Sequence, residues 1–229
     1  MYRFAYLVGD GILAIFWLTL FFLRKDLRKQ QLFVGLILAP VAPLTDYLWF
    51  YKDYWRPQYL ISFKVGQVPL GLESSLFIFL LGGIATVLYE VVFKKRHAFG
   101  KPRNLTTIIM IILPVIITTT FLMKLGLNSI WASSLGMLAI SIIMIIIDHD
   151  LVKDAIWSSL LMLGLSVIFY LVWLNIYPEG IQKFWLTSEL TGIKLWKIPI
   201  EEMVWFGSTG ISFGVLYEFW LNVKRYPDR

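Results

Sequence analysis

Seven long apolar runs constrain the fold of this chain more than any other feature of its sequence. A helix rises about 1.5 Å per residue, so about 20 apolar residues are needed to cross the hydrocarbon core of a bilayer. The stretch Ile108–Leu113 is continuously apolar, which favours helices over the alternating strands of a membrane barrel. We therefore predict an all-α polytopic membrane protein with about seven transmembrane helices, in the runs Phe4–Leu23, Gln31–Phe50, Leu70–Phe93, Leu105–Met123, Ser129–Ile147, Ile156–Ile176 and Pro199–Leu221.

Composition supports a bilayer as the solvent of this chain. Of 229 residues, 58% are apolar, mean hydropathy is +0.71, and there are ten tryptophans, a residue favoured at membrane interfaces. The chain has no cysteine, which excludes disulfides, thiol catalysis and cysteine-bound metals.

The formal charge of +6 comes from basic residues that cluster between the apolar runs, which indicates membrane anchoring and not nucleic-acid binding. Basic residues are enriched in cytoplasmic loops, so their distribution predicts a multi-pass protein of the cell (inner) membrane. Its N-terminus would lie outside and its C-terminus in the cytoplasm. The set assigned to the cytoplasm is Arg24, Lys25, Arg28, Lys29, Lys94, Lys95, Arg96, Lys101, Arg103, Lys153, Lys224, Arg225 and Arg229.

Two segments of the sequence resemble each other. The first reads Val68-Pro69-Leu70-Gly71-Leu72-Glu73 and ends in Leu88-Tyr89-Glu90; the second reads Ile198-Pro199-Ile200-Glu201-Glu202 and ends in Leu216-Tyr217-Glu218. Four spans separate the two copies, so both would have the same orientation, as in a parallel repeat. We predict a three-span repeat over 1–95, a linking span over 96–128 and a second three-span repeat over 129–229.

Three glutamates are candidate catalytic residues, since ionisable groups at membrane depth are costly and often functional. Glu73, Glu201 and Glu202 begin the third and seventh spans. A carboxylate in the first turn of a helix has an ordinary role in complementing the helix dipole. The matched pattern of proline, glutamate and a preceding loop with tryptophan favours function instead, because an apolar pocket keeps a carboxyl protonated as a proton donor.

Other polar groups are open to two interpretations. Asp46, near the outer end of the second span, either faces the same cavity as Glu73 or pairs at an interface. Asp148-His149-Asp150 suggests a metal site, but consecutive helical residues diverge and the other histidine, His97, is in a different loop, so we predict no metal site. Nucleotide and dinucleotide motifs are absent, and no cofactor is predicted.

These motifs resemble the membrane-embedded lycopene cyclase family, found as two short subunits or as a fused tandem. Its signature, P-x-E-E at the start of the last span of each half, is matched by Pro199-Ile200-Glu201-Glu202. In the first copy Pro69 is followed by a single glutamate, Glu73, and then by Ser74.

The resemblance implies an isomerase of the intramolecular lyase class that cyclises the end of a lycopene-like carotenoid by acid catalysis in the bilayer, without redox change. It implies Glu201 and Glu202 as acid and base, and Glu73 as the equivalent group. It further implies a substrate site near Trp55, Trp185, Trp205, Asp46, Pro69 and Pro199. The rings of the three tryptophans would stabilise a carbocation; interfacial anchoring is their alternative role.

Two other functions stay open from the sequence. One is a different carotenoid or isoprenoid enzyme, such as a hydratase; the other is a non-catalytic protein that binds or carries a lipid. The expected partners are an apolar carotenoid or isoprenoid substrate and the bilayer, with no nucleic acid, and a homo-oligomer is left open.

Overall fold

The computed structural model describes residues 2–95 and 100–222. Arg96, His97, Lys224, Arg225 and Arg229, which enter the predictions above, lie outside the described residues. The described chain is built from helices with two short hairpins, and large apolar side chains such as Ile15, Phe22, Met110 and Ile146 are exposed on its surface. An apolar exterior is what a lipid solvent permits, so the prediction of an all-α membrane protein is confirmed.

The first segment contains two spanning helices, a hairpin and a third helix. Helix α1 (Ala5–Leu23) is followed by α2 (Arg28–Leu38), which ends just before Pro40 because proline cannot supply the next helical N–H. The chain resumes as α3 (Val41–Thr45), a π-helical turn over Asp46–Phe50 and α4 (Tyr51–Asp53). The hairpin of β1 (Ser62–Val65) and β2 (Val68–Gly71) then leads into α5 (Leu72–Val92).

Helix α6 (Leu105–Lys124) links this segment to a second one with the same order of long helices and hairpin. The second segment contains α7 (Ser129–Ile147), α8 (Val152–Ile176), α9 (Gly180–Phe184), a hairpin of β3 (Lys194–Leu195) and β4 (Ile198–Pro199), and α10 (Ile200–Leu221). Lys64 pairs with Pro69 in the first hairpin and Lys194 with Pro199 in the second, so the two hairpins have the same register.

Among the described residues, five helical stretches are long and apolar enough to cross a membrane: Tyr2–Leu23, Lys25–Asp53, Leu72–Val92, Ser129–Ile147 and His149–Ile176. The predicted count of seven is not established. Within α6, the stretch Ile109–Lys124 is apolar but shorter than these five. Helix α10 is long enough but carries Glu201, Glu202 and Glu218 and many small polar residues, so its sequence is less apolar than that of the five.

Glycines allow α10 to pack closely on α8. A Cβ added at Gly210 would lie 2.5 Å from the Ser158 carbonyl oxygen, and one at Gly214 would lie 2.5 Å from the Ser158 Cβ. Close packing of this kind is typical of helices in membranes, where small residues let backbones approach. It places the start of α10 next to the C-terminal end of α8, where the candidate site lies.

Candidate active site

One elongated cavity of about 280 Å³ runs between helices of both segments. Its wall on α10 includes Glu202 at the start of the helix and Trp220 near its end. Those residues are 18 positions apart, so the cavity extends over about 27 Å of the helix axis at 1.5 Å per residue. The rest of the wall is mostly apolar and comes from α1, α2, α3, α5, α6, α7 and α8 and from the loops that carry Trp55 and Trp185. The polar groups converge at the Glu202 end.

Glu202 is held by two donors at this end of the cavity. Its Oε1 accepts a hydrogen bond from Trp185 Nε1 at 2.5 Å, and its Oε2 accepts one from Tyr170 Oη at 2.5 Å. The side chain is 4% exposed. A carboxyl fixed in this way, inside an apolar and aromatic wall, can hold a proton for an apolar molecule in the cavity.

Asp46 forms a second polar cluster on the same cavity. Its Oδ1 accepts from Trp55 Nε1 at 3.0 Å, and its Oδ2 accepts from Tyr59 Oη at 3.0 Å and from Ser74 Oγ at 2.6 Å. Burial and the neighbouring Asp46 carboxyl raise the pKa of Tyr59, so this phenol keeps its proton as a donor. The Oη of Tyr6 donates to Ser74 Oγ at 3.2 Å and completes the cluster.

The two clusters meet at a pair of tryptophans. Trp55 and Trp185 form an isolated antiparallel bridge, with ring centroids 5.8 Å apart. Their neighbours bond reciprocally: Arg56 N donates to Phe184 O at 2.6 Å, and Leu186 N donates to Tyr54 O at 2.8 Å. This reciprocal pattern is that of a two-fold axis, and it holds the indole N–H groups of both segments beside one cavity.

Glu73 and Glu201 have a different position from Glu202. The Oε1 of Glu73 accepts from the backbone N–H groups of Leu60 and Ile61, at 2.5 and 3.2 Å. The Oε1 of Glu201 accepts from Thr191 N and Thr191 Oγ1, both at 2.6 Å. Neither residue lines the cavity. Each therefore ties the loop before its hairpin to the first turn of the following helix.

The predicted substrate-binding residues divide in the same way. Trp55, Trp185, Trp205 and Asp46 line the cavity, and the ring of Phe77 stacks on Trp205 with centroids 6.4 Å apart. Pro69 and Pro199 do not line it; they lie in β2 and β4, where each pairs with a lysine across its hairpin.

Four residues of the two clusters were not identified from sequence: Tyr6, Tyr59, Ser74 and Tyr170. Tyr170 lies within a long apolar run, where a tyrosine is read as ordinary packing. Tyr59 lies in a loop, and Ser74 was treated only as a departure from the family signature. The one available signal was the phenol or hydroxyl itself, since a buried hydroxyl needs a partner and here the partner is a carboxyl.

No group of three or more His, Asp or Glu side chains that would hold a metal occurs within residues 2–95 and 100–222. Asp148 lies 3.8 Å from Arg103 in an ion pair, which is the polar role expected of a residue in a turn at the end of a membrane helix.

Comparison with known proteins gives a family for this arrangement. The family model for lycopene cyclase matches two segments of the chain, residues 4–93 and residues 128–220, which together make up more than half of it. No curated protein and no solved structure matches the chain. The matched segments contain both hairpins, both tryptophans of the pair and both carboxyl clusters, and the chain belongs to the lycopene cyclase family.

Proposed function

We propose that the protein is a carotenoid end-group cyclase that closes a ring on a lycopene-like substrate by acid catalysis. In enzyme class it would be an isomerase of the intramolecular lyase type. The observation that carries the proposal is Glu202, a buried carboxyl held by Trp185 and Tyr170 at one end of a long, apolar, aromatic-lined cavity. Membership of the lycopene cyclase family supports the same activity.

The chemistry suits such a site. Protonated Glu202 would give its proton to the terminal double bond of the polyene and leave a carbocation on the adjacent carbon. A second double bond of the same chain attacks this carbon, so a ring C–C bond forms and the positive charge moves to a ring carbon. Loss of a proton restores a double bond, and product and substrate have the same atoms and the same oxidation level.

Aromatic rings would stabilise the carbocations. Trp55, Trp185 and Trp205 line the same cavity as Glu202, and a ring face attracts a cation within about 6 Å of its centroid. Water would trap a carbocation as an alcohol, so a wall with few polar groups favours ring closure over hydration.

The shape of the cavity suits a polyene from the bilayer. A linear hydrocarbon fills a narrow apolar cavity that follows one helix for most of the membrane depth, with its end group at Glu202. We therefore propose an apolar carotenoid or isoprenoid substrate taken from the lipid phase. No redox cofactor enters the proposed reaction.

We also propose the organisation inferred from sequence. The three-span repeats would cover 1–95 and 129–229, joined by a linking span over 96–128. The polar clusters and hairpins would face the outer side of the cell membrane. Support comes from the equal element order of the two segments and the reciprocal bonds around Trp55 and Trp185. A homo-oligomer stays a prediction.

The test is expression of the chain in cells that accumulate lycopene, followed by chromatography of the pigments. We expect ring-containing products from the unmodified protein. Glu202→Gln should lower their formation by about 100-fold or more, because a general acid contributes about 10²- to 10⁴-fold.

Glu201→Gln is the matched control. The amide oxygen of glutamine can still accept the bonds from Thr191, so ring products should persist. Unchanged lycopene in cells with well-expressed protein would sink the proposal. Hydroxylated acyclic products would indicate a hydratase instead.

A further inference from the structure

The first segment lacks the second glutamate that the family signature places after Glu73. Ser74 and Glu202 are each the third residue of their helices, α5 and α10, and each follows a glutamate that holds a loop. Ser74 has no ionisable group. By this comparison alone, the cavity would have a single catalytic carboxyl, Glu202.

Asp46 supplies the missing carboxyl from another helix. The helices of the second spans begin at Arg28 and Val152, and counted from these residues Asp46 and Tyr170 occupy the same place. In the first segment the second span supplies the carboxyl, Asp46, and α5 supplies the hydroxyl of Ser74, which donates to Asp46 at 2.6 Å. In the second segment the second span, α8, supplies the hydroxyl of Tyr170, and α10 supplies the carboxyl of Glu202 that accepts its hydrogen bond. The carboxyl and the hydroxyl have exchanged helices between the two segments.

The remaining partners match this exchange. An indole N–H donates to each carboxyl, from Trp55 to Asp46 and from Trp185 to Glu202, and these two tryptophans form the bridged pair. Both carboxyls are almost fully buried and both line the one cavity. Asp46 also accepts from Tyr59, so three donors surround it and two surround Glu202. Additional donors favour the ionised form of a carboxyl.

We propose that Asp46 is the second catalytic carboxyl of this protein and accepts the proton that the ring carbocation loses. The inference rests on the proposed cyclase function. Glu202 begins the cycle protonated and Asp46 ionised. The C–H bond next to the cationic carbon breaks, its electron pair forms the ring double bond, and the proton goes to an Asp46 oxygen. One proton has then moved from Glu202 to Asp46, and its return through the same polar end of the cavity restores the starting state.

The experiment compares four variants in the lycopene-accumulating host and in purified form with added lycopene. Asp46→Asn keeps the size of the side chain but cannot take a proton, and it should lower turnover by about 100-fold, the scale of general-base catalysis. Lycopene should still co-purify with this variant. Asp46→Glu keeps a carboxyl and should retain far more activity than Asp46→Asn.

The double variant Asp46→Tyr with Ser74→Glu copies the arrangement of Tyr170 and Glu202 into the first segment. It should recover ring formation at least tenfold above Asp46→Asn, whereas Asp46→Tyr alone should stay inactive. If Asp46 had only a structural role, a carboxyl supplied from another helix would not restore ring formation.

The outcomes separate the two proposals. If Asp46→Asn retains turnover within threefold of the unmodified protein while Glu202→Gln abolishes it, Asp46 is not the proton acceptor and the cyclase proposal stands. If Asp46→Asn fails to fold, an inactive but folded double variant overturns the inference. If the well-expressed unmodified protein forms no ring, both proposals fall.

Discussion

At the scale of residues, the candidate site depends on which of two adjacent glutamates turns towards the cavity. Successive residues of an α-helix point about 100° apart, so Glu201 and Glu202 cannot face the same place. Glu202 meets Trp185 and Tyr170 on the cavity wall, whereas Glu201 meets Thr191 in the loop before its hairpin. The family signature contains both residues, and the structure separates a carboxyl on the cavity wall from one that holds a loop.

The indole N–H of Trp185 is the first group to test at this scale. Trp185→Phe keeps an aromatic face in the cavity but removes the donor to Glu202. Glu202 becomes a carboxylate as it gives its proton to the substrate, and a hydrogen bond to a charged group contributes about 1.5–3 kcal/mol. Ring formation should therefore fall by about 10- to 100-fold.

Trp196→Phe, at the exposed tip of the second hairpin, is the control and should leave the rate of ring formation unchanged. Equal rates for Trp185→Phe and the unmodified protein would mean that this bond has no part in the reaction. Initial rates with lycopene in detergent or liposomes measure the difference.

At the scale of elements, the hairpins and the loops before them hold the polar clusters in place. Gly71 ends β2 beside Tyr59, and a Cβ added to it would lie 1.9 Å from Tyr59 Cδ1. Its backbone has an ordinary extended conformation, so the glycine is needed here for space and not for an unusual φ.

Gly71→Ala should therefore displace the ring of Tyr59 and break its bonds with Asp46 and Ser74. We expect about tenfold slower ring formation, the effect of losing one hydrogen bond to a charged group, with the protein still folded. Gly164→Ala is the matched control, because a Cβ there meets no atom within 4 Å. An unaltered rate in Gly71→Ala would show that the position of Tyr59 is unimportant.

Helix α2 offers a second pair of variants on one element. Ile37 lines the cavity, while the residue before it, Leu36, is 63% exposed on the outer surface. Ile37→Trp should fill the cavity and displace the polyene, and a misplacement of about 1 Å costs about 100-fold in rate. Leu36→Trp faces lipid and should retain the normal rate. Equal rates for both variants would mean that the substrate does not occupy this part of the cavity.

At the scale of the whole molecule, apolar side chains cover the outside, while the clusters around Asp46 and Glu202 lie at one end of a mostly apolar internal cavity. The exposed residues Ile15, Phe22, Leu36, Met110 and Ile146 lie on four different helices, so the apolar surface is a property of the whole protein and not of one patch. Contact with lipid around the molecule is the expected consequence.

The predicted orientation is testable because the chain has no cysteine, so single-cysteine variants carry one reactive thiol each. Lys197 lies in the turn of the second hairpin, and Lys25 lies in the turn between α1 and α2. With the N-terminus outside, a membrane-impermeant maleimide should label Lys197→Cys in intact cells. Lys25→Cys should react only after permeabilisation. The reverse pattern would invert the proposed topology.

The sequence by itself determined the membrane class of this protein, the positions of its long helices and its family. These properties follow from local patterns: a run of about 20 apolar residues fits a bilayer wherever it lies in the chain, and the signature around Pro199 is continuous. The predicted helix ends were accurate to within a few residues for most runs. The exceptions are the starts of the second and sixth stretches: Lys25–Asp53 begins six residues before its predicted run and His149–Ile176 begins seven residues before its own.

Only the tertiary structure decided which carboxyls share the cavity. The bond from Ser74 to Asp46 spans 28 positions in sequence, and the bond from Tyr170 to Glu202 spans 32. No local pattern specifies such pairs, because they depend on how α5 packs beside the second span and α10 beside α8. The second hairpin had no clear signal either, since its turn at Trp196 and Lys197 is made without glycine. Two carboxyls therefore line the cavity, although the first copy of the signature has Ser74 in place of a second glutamate. The carboxyl of the first segment is Asp46, which comes from the second span and not from α5.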